Sequence, residues 1–124
     1  MMPTAAFYIE QLNMQPHPEG GYYAQVYRSS EMIPVDALPF RFQGSRAYAT
    51  SIYFLLEGNQ FSAFHRIKSD ELWHFYAGSG LDIFVIHENG TGEVLRLGNN
   101  PGEGRRFQPV SYTHLRAHET GRNL

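Results

Sequence analysis

The sequence lacks cysteine and has no long apolar segment. Without cysteine, it can form neither a disulfide framework nor a metal site with thiolate ligands. No segment approaches the roughly 20 apolar residues of a membrane-spanning helix, and the N-terminus shows no secretory signal. Basic residues do not cluster beyond Arg105-Arg106 and the net charge is −2, which disfavours nucleic acid as a partner. We therefore expect a soluble, cytoplasmic protein that binds neither membranes nor nucleic acid.

Aromatic residues and turn formers are abundant. The chain is 15% aromatic and 42% hydrophobic, with 12 glycines and 7 prolines among 124 residues. Aromatic side chains suit the half-buried surface of a sheet, and glycine and proline suit the turns between short strands. A chain of this length is expected to form one domain.

Short predicted strands follow one another at a spacing of about ten residues, with no helix between them. Thr4 to Leu12 is predicted to form a short helix with Thr4 as its N-cap, and residues 31–46 are predicted to be a loop. Asn89-Gly90 is typical of a tight hairpin. The predicted strands are 22–28, 47–56, 61–67, 71–77, 81–87 and 92–97, and a further strand starts at 105–109.

The C-terminal residues 110–124 read VSYTHLRAHETGRNL and resemble a translated sequencing-library adapter. The transposase adapter encodes residues 110–120 in one frame. We therefore predict that 110–124 is a non-native tail and that 1–109 is the native part of a truncated domain. His114 and His118 have the spacing of a metal-binding pair on a helix, but we assign them no metal because of this predicted origin.

A motif with fixed spacing lies in the middle of the chain. Gly58 is followed after six residues by His65, then after five residues by Glu71 and after six more by Gly78. This order resembles the first motif of the cupin superfamily, which has a second histidine where this chain has Ile67.

Two longer segments resemble one uncharacterised cupin family more narrowly. They are HPEGG at 17–21 and FSAFHRIKSDELWHFYAG at 61–78. The resemblance implies an all-β, cupin-type jelly-roll β-barrel with a short N-terminal helix, incomplete at its C-terminus. It also implies a homodimer, because cupins commonly pair through their sheets.

The candidate site residues lie mainly on two neighbouring predicted strands. Because side chains alternate along a strand, His65 shares a face with Phe61, Ala63 and Ile67. By the same rule, Glu71 and Trp73 share a face and His74 lies on the other. An apolar interior with one imidazole and one carboxylate is typical of a small-molecule pocket. The predicted ligand-binding residues are Glu19, Tyr53, Phe64, Trp73 and His74.

The sequence leaves open whether a divalent metal binds. In metal-binding cupins, the histidines and the glutamate of this motif hold the ion together with a histidine from a second motif. Ile67 removes one of these ligands, and the second motif would lie beyond the native part. If the intact parent holds an ion, the resemblance implies His65 and Glu71 as its first ligands, and His74 is a third candidate.

Three functions stay open at this point. The first, which the resemblance implies, is an enzyme related to sugar isomerases and epimerases, in which His65 is the general base and Glu71 either orients it or is its acid partner. The second is a non-catalytic module that binds a small polar molecule with the same residues, and the third is a dimeric storage protein. Each residue also has a structural alternative: His65 and Trp73 as core residues, and Glu19 as part of a rigid turn leading into a strand.

Overall fold

The structure is a computed structural model that describes residues 3–58, 60–87, 89–112 and 115–122. The chain divides into two units, Met1–Glu57 and Gly58–Leu124. We describe each unit by itself. Over the described residues the chain is mostly β-structure with one short α-helix.

The helix α1 spans Ala5–Gln11, and Thr4 is its N-cap, as predicted. The side-chain oxygen of Thr4 accepts a hydrogen bond of 3.2 Å from the backbone N–H of Phe7. Asn13 ends the helix in a left-handed conformation, with φ of 52°, which asparagine tolerates better than most residues. No helix in the described ranges is long and apolar enough to cross a membrane.

The first unit contains one three-stranded antiparallel sheet and one short strand pair. The predicted strand 22–28 is confirmed with the same bounds, whereas the predicted loop 31–46 contains a 3-10 helix and two short strands. These strands are too short to leave an alternating pattern in the sequence. The elements are β1 (Gln15–Pro16), β2 (Tyr22–Arg28), β3 (Met32–Ile33), the 3-10 helix Val35–Ala37, β4 (Arg46–Ala47) and β5 (Thr50–Leu55). The sheet has the order β1-β2-β5, and β3 pairs with β4.

The second unit contains a four-stranded sheet and a two-stranded one. The predicted strands 81–87 and 92–97 are confirmed with the same bounds. The strands are β6 (Ser62–His65), β7 (Glu71–Leu72), β8 (Leu81–His87), β9 (Gly92–Leu97), β10 (Val110–Ser111) and β11 (Leu115–Arg122), with a 3-10 helix at Pro101–Glu103. The larger sheet has the order β6-β11-β8-β9, and β10 pairs with β7.

The hairpin between β8 and β9 forms where Asn89-Gly90 predicts it. The backbone N–H of His87 donates to the carbonyl of Thr91 at 2.8 Å, and Gly90 has a φ of 88°. The amide oxygen of Asn89 accepts hydrogen bonds from both the backbone and the hydroxyl of Thr91. Glu88, which the predicted turn includes, lies outside the described residues.

The C-terminal tail takes part in the sheet, although its predicted adapter origin was a reason to leave it out of the fold. β11 pairs with both β6 and β8. Strand edges leave backbone N–H and C=O groups that need partners, and an extended segment can supply them whatever its side chains are. The adapter origin of 110–124 stays a prediction, and His114 lies outside the described residues.

The core of the second unit lies on one face of β8 and β9. Ile83, Val85 and Leu97 are buried, and alternation along β8 explains why Ile83 and Val85 face the same side. Ile83 is the direct partner of Leu95 on β9. Partly buried residues complete this core: Trp73, Phe75, Leu81 and Leu95.

A buried ion pair lies beside this core. The guanidinium of Arg105 is 3.2 Å from the carboxylate of Asp82, and their side chains are only 10% and 14% exposed. Arg105 also donates to the carbonyl of Leu97 at 3.1 Å. A Cβ added to Gly80 or Gly98 would come within 2.5 Å of the Arg105 side chain. The absence of a side chain at the two glycines therefore leaves a slot that the Arg105 side chain fills.

Candidate functional site

Glu71, Trp73 and Ser111 form a polar group on one face of the strand pair β7–β10. Glu71 and Ser111 are direct partners in this pair, so their side chains leave the sheet on the same side, about 5 Å apart at Cβ. The indole N–H of Trp73 donates to the hydroxyl oxygen of Ser111 at 3.1 Å. Ser111 is fully buried and Glu71 is half-buried. The arrangement holds the indole in a fixed orientation beside a carboxylate.

Backbone pairing continues past the end of β7 and fixes which side chains share a face. The backbone N–H of Trp73 donates to Pro109, and that of Phe75 donates to Phe107, both at 3.0 Å. Trp73 and Phe75 pack against the core, whereas His74 between them is exposed. The predicted alternation of this segment is confirmed. His74 therefore does not lie on the face that carries Glu71, and the structure does not bring the two together.

The other predicted catalytic residue, His65, ends β6, and its backbone pairs with His118 of β11. The side chains of Phe64 and His65 lie outside the described part of the chain. β6 has an irregularity, because three steps from Ser62 to His65 match two steps on β11. Ser62 is buried, whereas Phe61 is 61% exposed. The predicted common face of Phe61 and His65 assumed regular alternation, which this irregularity interrupts.

The described side chains do not fit a metal site. Among them, no group of three histidine, aspartate or glutamate residues is placed to hold an ion. Glu71 and His74, two of the three predicted ligands, lie on opposite faces of the extended segment 71–75. We therefore assign no metal-dependent step to these residues.

The remaining predicted residues, Glu19 and Tyr53, belong to the first unit. Tyr53 is half-buried on β5 and is the partner of Ala24 on β2. Glu19 is half-buried in the HPEGG turn, and its carboxylate oxygen Oε2 is withdrawn from solvent. Its backbone N–H donates to Nδ1 of His17 at 3.1 Å.

His17 is the residue that sequence reasoning missed, since nothing in its local sequence distinguishes it from a surface histidine. Its ring makes edge contacts with Tyr23 and Phe54, with centroids 5.2 and 5.4 Å away. Tyr23 and Phe54 are direct partners across β2 and β5. Because Nδ1 accepts a hydrogen bond from Glu19, the neutral ring carries its proton on Nε2. The HPEGG motif itself, with a histidine just before the aromatic-rich strand β2, was the available signal.

The HPEGG turn has a clear conformational role. Gly20 and Gly21 have φ values of 116° and 76°, which favour glycine. The backbone N–H of His17 donates to the carbonyl of Gly21 at 2.8 Å and closes the turn. This agrees with the structural interpretation of the motif as a rigid turn before β2.

Comparisons with known proteins agree with this fold. The family model Cupin_5, described as cupin superfamily (DUF985), matches residues 6–116. Among curated proteins, none matches significantly. A hypothetical protein from Leishmania major is 29% identical, with a TM-score of 0.83, over 96% of this chain and 70% of its own. A Shewanella oneidensis protein solved by X-ray crystallography is 32% identical, with a TM-score of 0.85, over 99% of this chain and 72% of its own. This chain therefore belongs to the Cupin_5 (DUF985) family of the cupin superfamily.

Proposed function

We propose that this cupin-domain protein binds a small polar metabolite on the face that carries Glu71 and Trp73, and transforms it there. One observation carries the proposal: a half-buried carboxylate lies on the same strand face as an indole that Ser111 holds in place. A partly buried carboxylate accepts strong hydrogen bonds from hydroxyl or amino groups, and an indole offers an apolar surface beside it. This combination suits sugar-related metabolites. The proposal includes closure of the strands into a jelly-roll barrel around the ligand.

In the enzymatic form of the proposal, His65 is the general base and Glu71 orients either the substrate or the base. The base removes a proton from the carbon next to a carbonyl group, and the electron pair of that bond moves onto the carbonyl oxygen. A water molecule then gives a proton to the same carbon from the other side as the electron pair returns from the oxygen, which inverts the configuration, and the proton on His65 passes to solvent. This step needs no external oxidant or cofactor, and proton transfer of this kind contributes about 10²- to 10⁴-fold to rate.

Replacing Glu71 with glutamine is expected to abolish ligand-induced stabilisation, because a neutral amide cannot replace the charge-assisted hydrogen bonds. The measurement is the melting temperature with increasing fructose, ribulose phosphate or UDP-glucose, since a ligand of the folded state raises it with concentration. Glu93→Gln is the matched control, as Glu93 is an exposed carboxylate on β9 of the same unit. An equal shift in wild type and Glu71→Gln would exclude Glu71 from binding.

Deuterium exchange separates the enzyme from the non-catalytic binding module. In heavy water, an isomerase should exchange the proton next to the carbonyl of fructose or ribulose phosphate, and NMR would show the loss of that proton signal. The enzymatic form predicts exchange that is lost in His65→Ala. Stabilisation by the same sugars without exchange would support the binding module instead.

A dimeric storage-type cupin is the second candidate. Leu72 and Tyr76 belong to the extended segment that starts at Glu71, alternate with the residues of its face, and are 61% and 74% exposed. Large exposed apolar side chains are typical of surfaces that associate. Light scattering tests this candidate, which predicts a stable dimer in wild type and a monomer in a Leu72→Asp, Tyr76→Asp variant. A monomeric wild type would exclude it.

A further inference from the structure

An open cavity of about 400 Å³ lies in the first unit, whereas the residues assigned to the function above belong to the second unit. This volume falls in the range of small-molecule pockets, roughly 300 to 1,000 Å³. Three of its lining residues carry carboxamides, one carries a phenol and none carries a formal charge at neutral pH. The lining residues are Leu12, Asn13, Gln15, Tyr23, Ala24 and Gln25.

Separate elements position the three carboxamides. Asn13 follows α1 and has a left-handed backbone conformation, and its backbone N–H donates to the carbonyl of Glu10 at 3.3 Å. Gln15 on β1 is the direct partner of Tyr23 on β2. Gln25 is two residues further along β2, so it leaves the sheet on the same side as Tyr23. The helix end and the two strands therefore bring these amides to the wall of one cavity.

The HPEGG turn supports the aromatic part of this wall. The ring of His17 contacts the ring of Tyr23 from one side, and Phe54 lies opposite Tyr23 on β5. His17 is itself held by its hydrogen bond from Glu19. The edge contact with His17 thus orients the Tyr23 ring before any ligand binds, which lowers the entropic cost of binding.

From this geometry we infer that the cavity binds a neutral, polyhydroxylated ligand such as a monosaccharide. Each carboxamide offers two N–H donors beside one acceptor oxygen, which matches sugar hydroxyl groups, because each of these both donates and accepts. Without a charged group in the wall, an anionic or cationic ligand would lose hydration without gaining a counter-charge. The inference is independent of the proposed function, because the residues that line the cavity belong to the first unit, whereas Glu71 and Trp73 belong to the second.

The test is an NMR titration of the full chain with methyl α-D-glucopyranoside. We expect the side-chain amide signals of Asn13, Gln15 and Gln25 to shift and saturate, with a dissociation constant of about 1 to 10 mM, as suits a shallow site with a few hydrogen bonds. Gln25→Ala should weaken binding about fivefold or more, since one hydrogen-bonding group is lost. D-glucuronate and D-glucosamine, the charged analogues, should bind more weakly than the neutral sugar.

Two variants serve as controls for this titration. Gln43→Ala removes an exposed carboxamide of the same unit that does not line the cavity, and it should leave the affinity unchanged. Glu71→Gln should also leave it unchanged, which distinguishes this cavity from the site of the proposed function. The inference is overturned by the absence of saturable shifts, by equal affinity in wild type and Gln25→Ala, or by tighter binding of either charged analogue.

Discussion

Replacing Arg105 with alanine is expected to lower the free energy of unfolding by about 3 to 5 kcal/mol, the usual cost of removing one partner of a buried ion pair. The substitution leaves the carboxylate of Asp82, whose side chain is 14% exposed, without its cation at 3.2 Å. It also empties the slot between Gly80 and Gly98. Urea denaturation followed by circular dichroism measures this change.

Arg106, the neighbour of Arg105, provides the matched control. Its side chain is exposed, and its guanidinium donates hydrogen bonds to the backbone carbonyls of Pro101 and Arg105. Arg106→Ala should therefore cost less than about 1 kcal/mol. Gly98→Ala should be destabilising in the wild type but less so in an Arg105→Ala background, because the clashing side chain is then absent. Equal effects of Arg105→Ala and Arg106→Ala would contradict the buried ion pair.

Gly21→Ala is expected to destabilise the first unit by about 2 to 4 kcal/mol, the sum of a left-handed backbone cost and of overpacking. Gly21 has a φ of 76°, and a Cβ added there would lie 2.6 Å from the carbonyl oxygen of Leu55 and 2.7 Å from a methyl group of Leu56. A carbonyl oxygen on a paired strand cannot move away as a flexible side chain can. Thermal and urea unfolding both report the loss.

Gly104→Ala separates the two contributions. Gly104 has a similar φ of 83°, but a Cβ added there would meet no atom within 4 Å. This variant should therefore show only the backbone cost, about 1 to 2 kcal/mol. The same loss in Gly21→Ala and Gly104→Ala would mean that the close approach of Gly21 to β5 does not exist.

Much of the strand pattern could be predicted from sequence because local signals agreed with one another. Segment 81–87 alternates between residues that face the core and residues that do not, and it is bounded by glycine-containing turns, so its bounds are confirmed. Segment 31–46 carries no such alternation, because its two strands have only two residues each. The pairing of 115–122 with β6 and β8 is made by backbone groups. Backbone pairing of this kind leaves no pattern of side chains to read.

The candidate site was predictable in part. Period-two alternation places Glu71 and Trp73 on one face and His74 on the other, as the structure has them. Ser111 was missed because it lies in the tail that the sequence led us to exclude. The role of His17 was missed because its contacts depend on pairing between β2 and β5, which are far apart in the chain. Pairing of this kind is set by the tertiary structure and leaves no local pattern in the sequence.

The most direct test of the central claim uses Trp73, the one tryptophan of the chain. Its indole N–H gives a single, well-separated signal in a ¹⁵N-correlated NMR spectrum. The titration uses the ligand that raises the melting temperature most among fructose, ribulose phosphate and UDP-glucose. The indole signal should shift with ligand concentration, and its shift should saturate over the same concentrations as the rise in melting temperature. An indole signal that stays in place while the ligand saturates the protein would contradict a ligand face built on Glu71 and Trp73.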